Sequence, residues 1–386
     1  MKAIIPSLLL MILFPASLSA EPRNSFRPGE IWPDDKGVHI NAHGGGILFH
    51  EGAYYWFGEH KIEGGAGNVA KVGVGVYSSK DLYQWKNEGI ALKVSEDPAS
   101  PITEGCIIER PKVLFNAKTG KFVMWFHHEL AGKGYGAALS GVAVADQVTG
   151  PYTYLESFRQ NAGVWPANLP DELRKPLPEE DRRKLSATPM PGNFVPEWGR
   201  DMVVRRDFEG GQMARDMTLF LDDDGKAYHI FASEENSTLH ISQLSDDFLK
   251  PAGKYVRIFP LAFNEAPAMF KRDGRYFLVS SGCTGWHPNA ARLASADRIF
   301  GPWTAHGNPV KGTEEQMKYT FHSQSTFVLP VQGRKDAFIF MGDRWTPANA
   351  IDGRYIWLPI RFGNDGLPFL EWKEQWDLTM FDRADP

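Results

Sequence analysis

The 386-residue sequence lacks several features that would point to common classes of protein. Its two cysteines, Cys106 and Cys283, are too few for a disulfide framework, and we expect buried free thiols. The formal net charge of −5 provides no basic surface for nucleic acid. The 11 histidines show no metal-ligand spacing, and we expect no cofactor. Beyond the first 20 residues, no apolar run approaches membrane-spanning length.

The long apolar run at the N-terminus has a different meaning. Lys2 precedes it, and small residues follow it as far as Ala20. This order is typical of a secretory signal peptide, so we predict a signal at 1–20 and cleavage near Ala20. The mature chain, 21–386, is then expected to be secreted or periplasmic, with no membrane span after cleavage.

Helical periodicity is also scarce, and only residues 170–186 favour a helix. The sequence instead repeats one pattern five times: a polar anchor, a short apolar run, a turn with Gly or Lys, and an aromatic-rich apolar run. The anchors are His43, Glu109, Asp216, Glu265 and Gln324. Because repeated strand pairs are typical of propeller blades, we predict an all-β, five-bladed β-propeller.

The spacing of the anchors locates one insertion. Successive anchors are 66, 107, 49 and 59 residues apart, and only the second interval is abnormal. We assign the excess to an insertion at about 159–211, rich in proline and charge, within a single catalytic domain. Long excursions are usually functional or disordered, and we expect Trp198 near the end of this one to line the pocket.

The inner strands of a propeller converge, so the anchors are expected to meet in one pocket. Glu109, Asp216 and Glu265 would then lie close together and partly desolvated. Burial and like charge raise the pKa of one carboxyl group while another stays ionised. Glycosidic cleavage requires such a split pair, an acid for the leaving oxygen and a base or nucleophile. Tryptophans beside glycine or polar residues, such as Trp286 and Trp345, suit the apolar faces of sugar rings.

Two motifs carry a resemblance to a known family. Arg215-Asp216-Met with the following Asp222–Gly225, and Glu265-Ala-Pro, resemble glycoside hydrolase family 43, whose members are five-bladed propellers that hydrolyse sugars with inversion. The resemblance implies that Glu265 is the general acid. It also implies that Asp216 modulates the pKa of that acid and positions the substrate. We interpret Asp222–Asp224 as a hairpin turn rather than a cation loop.

The first repeat departs from the usual family pattern. Most members carry an aspartate base there, whereas this chain has Asn41-Ala-His43-Gly-Gly-Gly. With Glu59, the Glu109-Arg-Pro-Lys motif and Gln324, this pattern resembles the exo-β-1,3-galactanase branch, which implies that Glu109 is an auxiliary carboxylate and that Gln324 contacts the attacking water. A neutral amide is a poor base, so three candidates stay open: Gln324 as an unusual tautomer, and Glu109 or Glu59 acting through a water.

Further pocket residues are expected from motif and position. The branch resemblance gives Tyr135 and Thr284 as sugar contacts. The other predicted contacts are His43, Glu59, Glu235, Asn236, Trp198, Trp286 and Trp345. Capping of a loop is the alternative for Glu235 and Asn236, and we interpret His127 and His128 as packing at a strand end. A structural cation in the central channel is compatible with the sequence.

The sequence therefore predicts an exo-acting, inverting glycoside hydrolase. Its expected substrate is an oligo- or polysaccharide of plant type, with galactose released from β-1,3-galactan or arabinogalactan. The alternatives within the family are an α-L-arabinofuranosidase, a β-xylosidase or a galactofuranosidase. The alternative from another class is a non-catalytic sugar-binding propeller, favoured by the missing aspartate of the first repeat. We expect a monomer.

Overall fold

The computed structural model describes residues 23–65, 67, 69, 72–186, 199 and 201–382. The predicted signal peptide and Trp198 lie outside the described residues. Strands predominate, with short helices α1 (Glu179–Ser186), α2 (Met202–Arg206) and α3 (Glu314–Tyr319). Helix α1 confirms the helix predicted within 170–186. None of the helices in the described part of the chain is long and apolar enough to cross a membrane.

Four sheets each contain four consecutive antiparallel strands. The first has β1 (His43–His50), β2 (Ala53–His60), β3 (Gly73–Ser79) and β4 (Lys86–Lys93). The second has β5 (Ile107–Asn116), β6 (Lys121–Glu129), β7 (Leu139–Ala145) and β8 (Thr153–Phe158). The third has β9 (Met217–Leu221), β10 (Ala227–Ser233), β11 (Thr238–Leu244) and β12 (Pro251–Ile258). The fourth has β13 (Asn264–Arg272), β14 (Arg275–Gly282), β15 (Arg292–Ala296) and β16 (Thr304–Gly307).

Two smaller sheets complete the described fold. The fifth sheet has β18 (Gln324–Pro330), β19 (Phe338–Arg344) and β20 (Arg354–Pro359). The sixth has β17 (Val310–Lys311), β21 (Arg361–Phe362) and β22 (Pro368–Glu371), with β22 in the middle and parallel to β17. Asp222–Asp224 forms the turn between β9 and β10, so the hairpin interpretation is confirmed.

The all-β class is confirmed, but the prediction of five blades is wrong, because the described residues form six sheets. The strands of the sixth sheet are two to four residues long, and they flank the fifth sheet in the sequence. Its buried residues Val310, Phe362 and Leu370 join the same apolar cluster as Val328 and Phe340 of the fifth sheet. The sixth sheet has no polar anchor of its own, so the fivefold repeat could not reveal it.

The first strands of the five anchor-bearing sheets lie innermost. Strand β1 contacts β5, β5 contacts β9, β9 contacts β13, β13 contacts β18, and β18 returns to β1. Apolar clusters fill the spaces between neighbouring sheets. The largest side chains in them are fully buried, and burial of each stabilises the fold by about 1.5–3 kcal/mol. The two ends of the described chain meet where Phe26 stacks on Trp376, with ring centroids 4.2 Å apart.

The abnormal interval between the second and third anchors leaves and re-enters the fold at one place. Gln160 and Gln212 exchange backbone hydrogen bonds of 2.8 and 2.6 Å. Between them the chain forms α1 and α2, which pack through Leu177, Leu185 and Val203. We call residues 159–211 the excursion. Its predicted boundaries, and the predicted domain limits of 21–386, stay predictions.

Candidate active site

A cavity of about 670 Å³ lies where the inner strands bring their anchors together. Four predicted catalytic residues line it: Glu109, Asp216, Glu265 and Gln324. Six predicted substrate contacts also line it: Glu59, Tyr135, Glu235, Asn236, Trp286 and Trp345. Four of the five repeat anchors therefore share one cavity.

Two predicted contacts lie elsewhere. His43 has no exposed surface, its ring stacks on Tyr355 at 5.3 Å, and burial holds its pKa well below the usual range. His43 therefore does not line the cavity, and its predicted contact with substrate is wrong. Thr284 lies beside the cavity, where its hydroxyl donates to the carbonyl of His287 at 2.5 Å and accepts from Asn289. Its contact with sugar stays a prediction.

An irregularity just after the anchor directs several of these side chains. The strand register shifts between His43 and Gly46, Glu109 and Lys112, Glu265 and Ala268, and Ser325 and Phe327. Arg110 and Ala266, each directly after an acidic anchor, have left-handed φ angles of 54° and 52°. Because a bulge bends the strand and re-aims a side chain, the inner strands can direct their first residues into the cavity.

The glycines of the first repeat make room for charged neighbours. A Cβ on Gly44, whose φ is 60°, would lie 2.1 Å from Glu59 Oε1. A Cβ on Gly46 would lie 2.5 Å from Cδ of the buried Lys112 side chain. Lys112 Nζ donates to the carbonyl of Gly44 at 2.8 Å, and burial lowers its pKa to about 7. The motif that lacks an acid thus admits Glu59 and Lys112 from neighbouring strands.

Arg110 links two anchors, Asp216 and Gln324, and helps to fix the orientation of the Gln324 amide. Its Nη2 donates to Asp216 Oδ2 at 2.9 Å and to Gln324 Oε1 at 2.5 Å. Trp345 Nε1 donates to the same amide oxygen at 3.2 Å, and Gln324 Nε2 donates to Ser281 Oγ at 3.0 Å. Because Arg and Trp can only donate, Oε1 must face them. These two hydrogen bonds favour the ordinary amide form of Gln324, whose carbonyl oxygen is the stronger acceptor.

Glu109 is held in its ionised form by its neighbours. Its Oε2 pairs with His127 Nδ1 at 3.0 Å, and its Oε1 accepts from the Tyr135 hydroxyl at 2.6 Å. Burial alone would raise the pKa of Glu109, but the hydrogen bond and charge of His127 lower it to about 2. Burial opposes the charge on His127, yet Glu109 and Glu129 raise its pKa to about 9. The packing interpretation of His127 is therefore wrong, because it lines the cavity as the ion-pair partner of Glu109.

Glu265 is held in the opposite state. Burial, and then the nearby charge of Asp216, raise its pKa to about 7. Asn236 Nδ2 donates to Glu265 Oε1 at 2.8 Å, and the Ala266 amide donates to Asp216 Oδ2 at 3.1 Å. Near neutral pH a large fraction of Glu265 is therefore protonated while Glu109 is ionised.

One group of side chains has the proximity of metal ligands. Donor atoms of Glu109, His127 and Asp216 lie within 4.8 Å of one another. Both ring nitrogens of His127 already bond carboxylates, Glu109 and Glu129, and Asp216 bonds Arg110. These bonds compete with metal ligation by the same atoms.

The sequence reasoning left several cavity residues out of the predicted site. These are Lys61, Arg110, His127, Gly136, Met213, Arg215 and Gly285. Arg110 and Arg215 directly adjoin acidic anchors, so adjacency was an available signal. His127 lies opposite Glu109 in the hairpin register, and counting back from the turn would have found it. Lys61 lies two residues after Glu59 in the chain, and its Nζ forms an ion pair with Glu59 Oε2 at 2.5 Å.

Comparison with known proteins agrees with this geometry. The sequence profile of glycosyl hydrolases family 43 matches residues 191–368. The β-D-galactofuranosidase xynD of Aspergillus niger is 31% identical over 111 residues, which cover 27% of this chain and 32% of that protein. The chain thus matches about a third of the length of this curated relative.

Solved structures match over nearly the whole chain. A family 43 β-1,3-galactosidase, solved with galactodeoxynojirimycin, is 50% identical, with a TM-score of 0.85 over 92% of this chain and 100% of that one. An exo-β-1,3-galactanase from Phanerochaete chrysosporium, solved with β-1,3-galactotriose, is 32% identical, with a TM-score of 0.72 over 92% of this chain and 68% of that one. The cavity, its two unlike carboxyl groups and this similarity identify the chain as a glycoside hydrolase that belongs to family 43.

Proposed function

We propose that this enzyme is an exo-acting, inverting hydrolase that releases galactose from the ends of β-1,3-galactan chains. The observation that carries the proposal is the pairing of a protonatable Glu265 with an ionised Glu109 across one cavity. The choice of galactose rests on the similarity to a β-1,3-galactosidase and an exo-β-1,3-galactanase.

In the proposed mechanism, Glu265 donates its proton to the glycosidic oxygen as the bond to the anomeric carbon breaks. Burial and the negative charge of Asp216 keep that proton on Glu265 before reaction, and Arg110 holds the Asp216 carboxylate in place. An acid with a pKa near 7 is well matched to this task near neutral pH.

A water molecule attacks from the opposite face of the sugar. Gln324 Nε2 has a second N–H beyond the one bonded to Ser281, and this N–H is available to orient the water. We assign Glu109 as the proton acceptor. Glu59 and Glu109 each have both oxygens bonded, but the partners differ. The buried Lys61 and the Arg110 backbone amide hold Glu59, whereas one oxygen of Glu109 is held by the exposed Tyr135 side chain, which can turn away from it. Glu109 is a weak base, but the water becomes acidic as its bond to the anomeric carbon forms.

The test is the sugar and the anomer that appear first when the enzyme is mixed with β-1,3-galactan. We expect galactose alone, initially as the α-anomer, observed by proton NMR before mutarotation. Arabinosyl, xylosyl and galactofuranosyl oligosaccharides serve as comparison substrates, the last because of the similarity to a galactofuranosidase. Release of those sugars without galactose would refute the substrate, and an initial β-galactose would refute inversion.

We also propose that the enzyme is an exported monomer that acts on extracellular polysaccharide. The support for export is the composition of residues 1–20. N-terminal sequencing of the exported protein is expected to begin at Glu21, and light scattering is expected to give the mass of one chain.

A further inference from the structure

Three consecutive residues with side chains adopt the left-handed backbone region beside the active site. Glu234, Glu235 and Asn236 follow β10 and have φ angles of 49°, 62° and 62°. Residues other than glycine rarely adopt this region, and such conformations persist only where the surroundings impose them. We call these three residues the left-handed turn. Its last residue is Asn236, whose side-chain amide donates to Glu265 Oε1 at 2.8 Å.

Two sets of buried ion pairs hold this turn. Arg257 donates to both oxygens of Glu234, at 2.5 and 2.6 Å, and His240 bonds the same carboxylate at 2.7 Å. Glu235 is shared by two arginines: Arg206 Nη2 donates to Oε1 at 2.8 Å, and Arg215 Nη2 lies 3.3 Å from Oε2.

Arg206 connects this turn to the excursion. It is the last residue of α2, its side chain is only 7% exposed, and its guanidinium also bonds both oxygens of Asp207 at 2.7 Å. A second link runs from Arg257 Nη1 to Asp201 Oδ1 at 2.5 Å, just before α2 begins. The excursion therefore contacts both glutamates of the turn, directly at Glu235 and through Arg257 at Glu234.

The orientation of Asn236 follows from the same pairs. Arg215 Nη1 lies 3.5 Å from Asn236 Oδ1, and because Arg can only donate, the amide nitrogen is left to face Glu265. Once Oε1 of Glu265 accepts this bond, the acidic proton belongs on Oε2, the other oxygen. The turn thus favours Oε2 as the oxygen that presents the proton, on a carboxyl group that the Cys283 thiol also faces.

We propose that Arg206 of the excursion is a positioning residue for the acid Glu265. It acts through Glu235 and the amide of Asn236, and it does not contact the substrate itself. This inference rests on the proposed role of Glu265. It gives the excursion a function in catalysis, in place of a solvated loop over one face of the fold.

The experiment compares the pH dependence of galactose release by R206M and N236A with that of the wild type. Loss of the amide donor favours the neutral form of Glu265, so the alkaline limb of kcat/KM is expected to move upward by roughly 0.5–1 pH unit in each variant. A misplaced acid loses part of its contribution, so kcat is expected to fall about tenfold. R206M and N236A interrupt the same chain of contacts to Glu265. The double variant is therefore expected to move the alkaline limb no further than either single variant does.

Two controls separate positioning from general stability. R205M removes the neighbouring arginine of α2, which donates to the carbonyl of Lys175, and it is expected to keep the wild-type profile. R206K keeps the positive charge, so its alkaline limb of kcat/KM is expected to lie closer to that of the wild type than to that of R206M.

A wild-type profile for R206M, or an additive double variant, would overturn the inference. An inactive wild type on β-1,3-galactan would instead refute the proposed function.

Discussion

The two glutamate anchors of the second and fourth sheets show how one repeat produces opposite chemistry. Glu109 and Glu265 occupy equivalent positions, each is followed by a left-handed residue, and both line the same cavity. The pKa of Glu109 is lowered to about 2, whereas that of Glu265 is raised to about 7. Burial raises the pKa of both groups, so the difference comes from the neighbours.

The deciding neighbour of Glu109 lies on the second strand of its own hairpin, whereas that of Glu265 directly precedes the first strand of the neighbouring third sheet. Glu109 lies opposite His127, which supplies a positive charge, and Glu265 lies opposite Ser281, which supplies none. The Glu265 carboxyl group instead faces the negative charge of Asp216. The inner strands place the carboxyl groups, and the partners decide which one holds a proton.

The largest expected effect separates the two groups by activity. Glu265→Gln removes the acidic proton, and we expect kcat on β-1,3-galactan to fall by about 10²–10⁴ while oligosaccharide binding persists. Wild-type activity is expected to decline as the pH rises through about 7, because Glu265 then loses its proton. Steady-state kinetics and isothermal titration calorimetry provide the measurements. A variant as active as the wild type would exclude Glu265 as the acid.

The second prediction concerns the anchor that carries no charge. Gln324→Ala leaves Arg110 and Trp345 without their shared acceptor, and we expect kcat to fall roughly 10²-fold. Gln324→Glu keeps that acceptor, and the Ser281 hydroxyl can donate to it in turn, so about a tenth of the activity is expected to remain. Equal rates for the two variants would show that Gln324 has no role in the reaction.

The smallest expected effect is on stability, and its sign differs between the two glutamates. Folding raises the pKa of Glu265 from its ordinary value of 4.5 to about 7. The folded state therefore loses stability as the pH rises between these two values. Glu265→Gln removes this cost, so its melting temperature is expected to exceed that of the wild type by a few degrees at pH 8 and to match it at pH 4.

The lowered pKa of Glu109 has the reverse consequence. It stabilises the folded state above pH 4.5, and this contribution is lost as the pH falls toward 2. Glu109→Gln also leaves the buried charge of His127 with only Glu129, so its melting temperature is expected to lie a few degrees below that of the wild type at pH 8. Calorimetry at the two pH values checks both variants, and a shift of the same sign for both at pH 8 would contradict the comparison.

Much of the site could be predicted, because a repeat with a fixed phase places its anchors at equivalent points. Glu109, Asp216, Glu265 and Gln324 share one cavity, as that phase predicts. His43 has the same phase but is buried against Tyr355, since position in a repeat does not determine how deep a side chain lies. The sixth sheet was missed because it pairs Val310 with Leu370, which are distant in sequence and belong to very short strands.

The sequence by itself determined the all-β class, the innermost strands and the acids that begin them, because alternating apolar runs and turn residues act locally. Only the tertiary structure decided the protonation state of those acids. The pKa of a carboxyl group depends on charges a few ångströms away, such as His127 beside Glu109 and Asp216 beside Glu265. The ion pair between Arg206 of the excursion and Glu235 likewise joins segments that are distant in sequence, and no local sequence pattern predicts it.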